Sequence, residues 1–265
     1  MAGLLTGSLL ATSAAGQVTI ALKSVIGSAG TDAATVAGVG NAVNFVGFGS
    51  NSGATTLTAS GSTGSSSFNF NTGFSDERDR AIGSNPNAGA AHVYVDRKYN
   101  SEGTAPLILD TNADGSYAGE TAQTGFGMHS DGFITFDLAV VRANFGLAAN
   151  EALKLTGAAG IADAAFGYQT SGAIIADGTT LAVFDWKDGA GNMISSYSLT
   201  LSGATRYLTF IGLSGLDNSN VYDHVGFINV QLQQIPEPAI ASLILAGLGL
   251  LVVSGFGRRG GLVGS

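Results

Sequence analysis

Short stretches in which apolar and polar residues alternate recur along most of the chain, and Gly, Asp, Asn or Ser separate them. Alternation with a period of two is typical of half-buried β-strands, and closely spaced turn residues indicate short connections. The segment AVVRANFG at 139–146 indicates one short helix. The pattern therefore predicts an all-β protein, a β-sandwich or jelly roll. Strands are predicted at 17–22, 42–48, 92–99, 106–109, 133–138, 152–157, 179–186, 193–201, 206–213 and 225–232.

Changes in amino-acid composition along the sequence divide the chain further. Residues 60–67 (SGSTGSSS) have low complexity, and we predict a loop or linker there. They belong to an N-terminal region, 17–72, whose strands we expect to pack on the main domain, 73–235. Residues 1–16 end in a small-x-small pattern, Ser13-Ala14-Ala15, that predicts a signal peptide. The positive charge that starts such signals is lacking, so we expect a trimmed or upstream start; a disordered N-terminus is the alternative.

The charge balance and the cysteine content limit which binding partners and which chemistry we expect. The chain of 265 residues holds 19 acidic and 11 basic residues, a net charge of −8 at pH 7. Binding of nucleic acid depends on Lys and Arg that neutralise phosphates, so this balance argues against a nucleic acid partner. Neutral glycans or Ca²⁺ fit the charge better. Because the chain has no cysteine, disulfide and thiolate chemistry are excluded in any compartment.

The C-terminal segment differs from the rest of the chain. Residues 239–257 carry no charge, and as a helix rising about 1.5 Å per residue they are long enough to cross a bilayer. The prolines of Pro236-Glu237-Pro238 cannot lie inside a helix, so they mark its start and leave Glu237 in water. Arg258 and Arg259 follow directly and predict a cytoplasmic C-terminal side. A buried core helix and a permanent membrane anchor are the alternatives.

This order of Pro236-Glu237-Pro238, an apolar helix and Arg258-Arg259 resembles the PEP-CTERM sorting signal, with 260–265 as an extra segment beyond the arginines. The resemblance implies export by a Gram-negative bacterium that makes extracellular polysaccharide. It also implies transit through the inner membrane, an exosortase-type membrane protease as partner, and delivery to the cell surface or extracellular matrix.

A candidate calcium loop lies in the segment DTNADGS, which begins at Asp110. Asp110, Asn112 and Asp114 are spaced two apart before a glycine that permits a tight turn, as in the first half of an oxygen-lined Ca²⁺ loop. Glu120 stands one place before the position where an EF-hand needs a bidentate acid, so the motif is not an EF-hand. Glu120 or a distant acid is the expected further ligand, and an ordinary Asp/Asn/Gly turn is the alternative.

Signatures of catalysis are absent from the sequence. It contains no G-x-S-x-G elbow, no H-E-x-x-H helix and no P-loop. Nothing in the spacing of His92, His129 and His224 suggests a zinc site. Carboxylate pairs such as Asp185 and Asp188 could serve glycoside hydrolysis, but any chain this acidic contains such pairs. We therefore predict that the protein is not an enzyme.

A second resemblance covers residues 73–232. The segments GFGMHSDGFITFDL (125–138), ALKLTGAAGI (152–161) and YLTFIGLSGLDNSNVYDHVGFINVQL (207–232) follow each other in the order found in NPCBM modules. The resemblance implies a carbohydrate-binding-like β-sandwich of the galactose-binding type, with extracellular polysaccharide as its partner. The sequence departs from the family at Gly226-Phe227, where the family has a polar residue and Trp.

Two predicted loops hold the candidates for sugar binding. Sugars are bound by aromatic faces that stack on C–H groups and by planar polar groups that bond to hydroxyls. The candidates are Trp186, Asp188 and Asn192 in one loop and Asn220 and Tyr222 in the other. A core position for Trp186 is the alternative.

His129 and the pair Asp223-His224 are expected to join loops to strand edges. A buried imidazole that donates to a carboxylate satisfies both groups, so this structural role is favoured over contact with sugar. Three hypotheses remain for the whole protein: a polysaccharide-binding surface protein, a purely structural or adhesive matrix protein, and a hydrolase fragment.

Overall fold

The computed structural model describes residues 17–33, 38, 40, 42–48, 56–61, 64–69, 93–98, 104–129, 132–162, 169–187, 193–214 and 224–235. The described elements comprise two short helices and thirteen strands. The helices are α1 (Leu22–Ile26) and α2 (Leu138–Asn144). The strands are β1 (Thr19–Ala21), β2 (Val43–Phe48), β3 (Thr56–Gly61), β4 (Gly64–Asn69), β5 (Val93–Val95), β6 (Gly125–His129), β7 (Gly132–Asp137), β8 (Leu153–Ile161), β9 (Gln169–Ala176), β10 (Thr179–Lys187), β11 (Ile194–Leu201), β12 (Tyr207–Ser214) and β13 (His224–Gln234).

The strands form two antiparallel sheets. Sheet A has the order β11-β8-β13-β6-β5, and β1 pairs with the far end of the long strand β13. Sheet B has the order β10-β9-β12-β7-β2-β3-β4. Two packed antiparallel sheets confirm the predicted all-β sandwich.

The core between the sheets is built on four phenylalanines. Sheet A contributes Phe126 and Phe227, and sheet B contributes Phe136 and Phe210; all four are fully buried. Their ring centroids lie between 5.1 and 6.1 Å apart, in edge-to-face, tilted and stacked arrangements. Each buried side chain of this size contributes about 1.5–3 kcal/mol to folding. The alternation that predicted the strands therefore points these rings at one another.

Two predicted segments were wrong. Residues 60–67 were expected to be a loop, yet β3 continues to Gly61 and pairs with β4, which begins at Gly64. Pairing with a neighbouring strand decides strand formation there, since intrinsic β-propensity depends strongly on context. The strand predicted at 106–109 is not in a ladder, because Pro106 lacks an N–H donor and makes only an isolated bridge to Arg97.

Other boundaries follow from local chemistry. The predicted strand at 17–22 ends at Ala21, where α1 begins, and the one at 92–99 is reduced to β5. The helix predicted at 139–146 is confirmed as α2. Its first turn is capped by the Asp137 carboxylate, which accepts from the N–H groups of Ala139 and Val140 at 3.0 and 3.4 Å.

The segment 104–124 crosses the outer face of sheet A. Leu107 and Leu109 are fully buried there in a small apolar cluster with Ala162 and Ile228. A Cβ atom added to Gly226 would lie 2.7 Å from Leu107 Cδ1, so the absence of a side chain permits this close approach. The crossing segment also carries the candidate calcium loop.

The described part of the chain contains no helix that is both long enough and apolar enough to cross a membrane. The helix predicted at 239–257, the signal peptide predicted at 1–16 and the sorting-signal residues Pro236, Glu237, Pro238, Arg258 and Arg259 all lie outside the described residues.

Candidate functional sites

One end of the sandwich collects the connections that hold the predicted sugar-binding residues. In sheet A, His224 is level with His129, and Val225 with Ile161. In sheet B, Lys187 and Ser214 are level with Gln169 and Thr170. The connections β6–β7, β8–β9, β10–β11 and β12–β13 therefore share this end, which we call the loop end.

Two segments that hold predicted sugar-binding residues begin and end at the loop end. The segment 188–192, with Asp188 and Asn192, and the segment 215–223, with Asn220, Tyr222 and Asp223, both start and finish there. These five residues lie outside the described part of the chain, so only the ends of their segments are placed. Topology nevertheless assigns both predicted loops to a single end.

Trp186 lies beneath this end, in the core. Its side chain is 2 % exposed, stacks on Phe184 with ring centroids 5.6 Å apart, and donates from Nε1 to Ser195 Oγ at 3.1 Å. A Cβ atom on Gly172 would lie 2.8 Å from the indole. The indole is therefore enclosed in the core, which favours the core alternative for Trp186 over stacking on a sugar.

His129 and His224 are cross-strand neighbours at the loop end. Their imidazole centroids are 5.2 Å apart in an edge-to-face arrangement, and both residues are buried. The carbonyl of His224 accepts from the N–H of Ala162 at 2.8 Å, so the pair lies where three strands of sheet A meet. This position favours a structural role over contact with sugar.

The candidate calcium loop is a turn held by its own side chains, and we call residues 110–120 the acidic turn. The Asp110 carboxylate is fully buried and accepts from the N–H groups of Asp114 and Gly115 at 3.2 and 2.8 Å. Asn112 Oδ1 also accepts from Asp114 N–H, at 3.0 Å. Within the described residues, no group of three or more His, Cys, Asp or Glu side chains could hold a metal ion. This geometry favours the ordinary Asp/Asn/Gly turn.

Glu120, at the end of the acidic turn, bonds to residues near its start. Its carboxylate accepts from the Thr111 hydroxyl at 2.5 Å and from the Asn112 N–H at 2.9 Å. These two hydrogen bonds, that from Thr111 above all, lower the pKa of Glu120 below its ordinary value. Glu120 was predicted as an ion ligand, and the structure shows it bonded to the chain itself.

At the end of the sandwich opposite to the loop end, a residue that was not predicted from the sequence joins three segments of the chain. Arg142 is 1 % exposed and donates to three backbone carbonyls, those of Glu151, Thr205 and Ser202, at 3.0, 2.8 and 3.2 Å. We call this arrangement the Arg142 clip. Burial lowers the pKa of Arg142, while the nearby acids Asp177, Glu151 and Asp137 oppose this change. The signal in the sequence is that Leu138, Val141 and Arg142 share one face of α2.

A shallow cleft of ≈ 310 Å³ lies beside the clip. The Asp177 carboxylate on its wall accepts from the N–H groups of Arg206 and Tyr207 at 3.0 and 2.8 Å, so it is engaged in holding the chain. Because no aromatic ring lines the cleft, it lacks the stacking surface that sugar sites use. Its lining residues are Ala176, Asp177, Thr179, Leu181, Thr200, Leu201, Ser202, Ala204 and Thr205.

Comparison with known proteins places a motif at the C-terminus. Residues 234–259 match the PEP-CTERM protein-sorting motif, which confirms the prediction made from Pro236-Glu237-Pro238 and the arginine pair. No curated protein matches the chain.

Solved structures of carbohydrate-binding β-sandwiches are similar to the described body. One is a CBM51 domain of a GH95 protein from Clostridium perfringens, in complex with methyl-galactose: 15 % identity, 53 % of this chain and 86 % of that chain covered, TM-score 0.39. Another is CBM51-2 with INT domains of ZmpB from the same organism, in complex with GlcNAc: 14 % identity, 74 % and 40 % covered, TM-score 0.41. The chain thus spans less than half of the second structure.

Proposed function

We propose that this chain is an exported, non-catalytic protein of the cell surface or extracellular matrix of a Gram-negative bacterium, sorted by an exosortase-type membrane protease. The match of residues 234–259 to the PEP-CTERM motif carries this proposal. The motif combines a Pro-Glu-Pro start, an uncharged segment at 239–257 and two arginines that remain on the cytoplasmic side of the inner membrane.

The body, a sandwich of the galactose-binding type, binds extracellular polysaccharide at the loop end. This choice is supported by the described strands that flank the candidate segments 188–192 and 215–223, because β10 and β12 end there and β11 and β13 begin there. The other end supports this choice by contrast, because its cleft has no aromatic lining and its Asp177 is engaged by backbone N–H groups. A low charge density suits neutral or weakly charged glycans.

The sorting proposal is tested in a Gram-negative host that makes the protease and in the same host without it. We expect the wild-type chain to be processed and released only when the protease is present, and Pro236→Ala with Pro238→Ala to stop processing. Gln231→Ala, upstream of the motif on β13, is the matched control. Equal processing with and without the protease would overturn the proposal.

Polysaccharide binding is tested on the full chain in detergent with a panel of glycans and exopolysaccharides, in Ca²⁺ and again in EDTA. We expect saturable binding that Tyr222→Ala or Asn220→Ala weakens at least about tenfold with no change in melting temperature, about 1.4 kcal/mol of binding energy. Thr179→Ala, on the cleft at the other end, is the matched control. A folded protein that binds no glycan leaves the structural or adhesive matrix protein as the function.

Trp186→Ala separates structure from recognition. Since the indole is buried, its removal is expected to lower the free energy of unfolding by about 3–5 kcal/mol, as for other large-to-small core substitutions. Chemical denaturation measures this loss. Weakened glycan binding by a Trp186→Ala protein of unchanged stability would instead place the indole in the binding site.

A further inference from the structure

The outermost strand of sheet A, β11, presents an open edge. It pairs with β8 over eight consecutive positions, from Ile194 opposite Gly160 to Leu201 opposite Leu153, without a register shift. Among the described strands none pairs with its other side. Its burial alternates, and Ser196, Ser198 and Thr200 are exposed.

The phase of the ladder identifies which backbone groups point outward. The N–H of Ile161 donates to the carbonyl of Met193 at 3.0 Å, so Met193 and Ile161 form a hydrogen-bonded pair. In an antiparallel ladder such pairs alternate with pairs whose N–H and C=O groups point away from each other. The residues of β11 that bond to β8 are therefore Ser195, Tyr197, Leu199 and Leu201, and those that present N–H and C=O groups at the open edge are Ile194, Ser196, Ser198 and Thr200.

This edge lacks the features that normally prevent strands from pairing with other chains. Natural sheets protect their edges with charged side chains, Pro, bulges or very short strands. The sequence of β11, ISSYSLTL, has no charge and no Pro. The opposite edge, β5, is only three residues long and is followed by Asp96, Arg97 and Lys98. The edge strand β10 of sheet B carries Asp185 and Lys187 and a register shift.

We propose that β11 pairs antiparallel with β11 of a second copy of this chain, which joins the A sheets of two molecules. All four outward residues are used when Ser196 faces Ser198 and Ile194 faces Thr200 of the other copy. Four such pairs exchange about eight backbone hydrogen bonds, two per pair. The outer face of the joined strands would then carry Ser196, Ser198 and Thr200 of both copies beside the half-buried Ile194, and cross-strand Ser and Thr pairs are favourable.

Electrostatics permits a second copy despite the acidic chain. Because β11 is uncharged, no like charges face each other across the new pairing. A charge in the neighbouring strand is Lys154 of β8, which is opposite Thr200. The two copies of Lys154 would be separated by at least three strand spacings, about 14 Å, which exceeds the screening length of about 8 Å at physiological salt. An uncharged, self-complementary edge therefore suits another copy of itself better than a charged partner.

The test is sedimentation of the full chain in detergent over a range of protein concentrations. Pro is tolerated on an edge strand where its missing N–H would point to solvent. We therefore expect Ser198→Pro to leave the monomer folded and to raise the dimer Kd about tenfold or more, and Ser198→Lys to do the same by placing two cations near the two-fold axis. Thr121→Lys, at an exposed site outside the strands, is the charge-matched control. A wild-type chain that stays monomeric, or a dimer that survives both Ser198 variants, would overturn the proposal.

A distance measurement tests the register directly. The chain has no native cysteine, so a single Ser198→Cys substitution carries one nitroxide label per copy. In the proposed register the two labelled positions are diagonal neighbours, about 7–8 Å apart, and strong dipolar broadening of the spectrum is expected. A label at Thr121→Cys should give none. Equal spectra at the two sites in the dimer would exclude pairing through β11.

Discussion

The Arg142 clip and the acidic turn both satisfy backbone groups through charged side chains, but one is buried and the other is at the surface. In both, charged side chains bond to backbone groups that no strand or helix partner satisfies. Arg142 does so at 1 % exposure, far from water, whereas Glu120 does so at the surface. If Arg142 is removed, three carbonyls lose its N–H groups, and of these the Ser202 carbonyl keeps another donor, the Thr205 N–H at 2.9 Å. If Glu120 is removed, water takes its place, so the same kind of contact should differ greatly in its effect on stability.

Removing the clip should have the largest effect. Arg142→Met keeps the aliphatic volume but leaves the carbonyls of Glu151, Thr205 and Ser202 without this donor. We expect a loss of about 3–5 kcal/mol, because buried carbonyls that lose their donor cost about 1–3 kcal/mol each, and this is a large part of the stability of a domain. Thermal unfolding should occur about 10 °C lower for a chain of this size.

Arg206→Met is the matched control for this substitution. The Arg206 side chain is 61 % exposed and its ion pair with Asp137 spans 3.3 Å, so its removal should change the stability by less than about 1 kcal/mol. Similar losses in the two variants would show that burial does not distinguish the clip from a surface pair.

Asp110 allows buried and exposed side chains to be compared within the acidic turn itself, because it is fully buried whereas Asp114 is exposed. Asp110→Ala leaves the Gly115 N–H without its acceptor and the Asp114 N–H with only Asn112 Oδ1, and we expect a loss of about 1–3 kcal/mol by chemical denaturation. Asp114→Ala removes only the bond to Ser116 N–H at an exposed site and should have a smaller effect. The opposite ranking of the two variants would contradict the assigned roles.

How far the sequence predicts the molecule depends on the kind of signal. The alternation of FITFDL at 133–138 predicts β7, because Ile134 and Phe136 point into the core as a period of two requires. The apolar stretch at 106–109 misled, since Leu107 and Leu109 are buried on the outside of a sheet rather than in a ladder. An apolar stretch thus indicates that a segment is buried, but it does not indicate whether the segment is a strand or packs on the outer face of a sheet.

The candidate sites show the same limit. The PEP-CTERM motif was recognisable because all its parts are adjacent in the chain. Trp186 was a weak candidate, because a lone Trp in a polar stretch is compatible with a pocket or with the core, and the structure places it beside Phe184. The clip depends on carbonyls at positions 151, 202 and 205, which only the fold brings to Arg142. Because the acceptors are backbone carbonyls, the side chains at positions 151, 202 and 205 give no sign of this contact.

Asp137 provides an intermediate case. Its side chain is 10 % exposed and caps α2 beside the clip. Asp137→Ala should lower the free energy of unfolding by about 1 kcal/mol, the usual value for a lost N-cap, and Asp137→Ser should recover most of it. Chemical denaturation of the three proteins checks this ranking. Failure of Ser to recover stability would show that the ion pair with Arg206 matters more than the cap.

The smallest effect on stability is expected for substitution of Glu120, and it is visible in the pH dependence of the free energy of unfolding. The pKa of Glu120 is lower in the folded chain than the value of about 4.3 typical of unfolded glutamate. A carboxyl of this kind stabilises the fold above about pH 4.3, and its contribution is lost as the pH falls through the lower, folded pKa. Glu120→Gln should therefore lose less stability than wild type over this acid range.

The cause of that lowered pKa can be tested by removing one hydrogen bond. The Thr111 hydroxyl contributes most to it, so Thr111→Val should raise the pKa of Glu120 toward its ordinary value. Titration of the glutamate carboxyl carbons by NMR measures the change, and Thr121→Val at an exposed site is the control. If the Thr111→Val and wild-type curves coincide, the turn is held by its backbone conformation alone. Glu120 would then have no part in the comparison with the Arg142 clip.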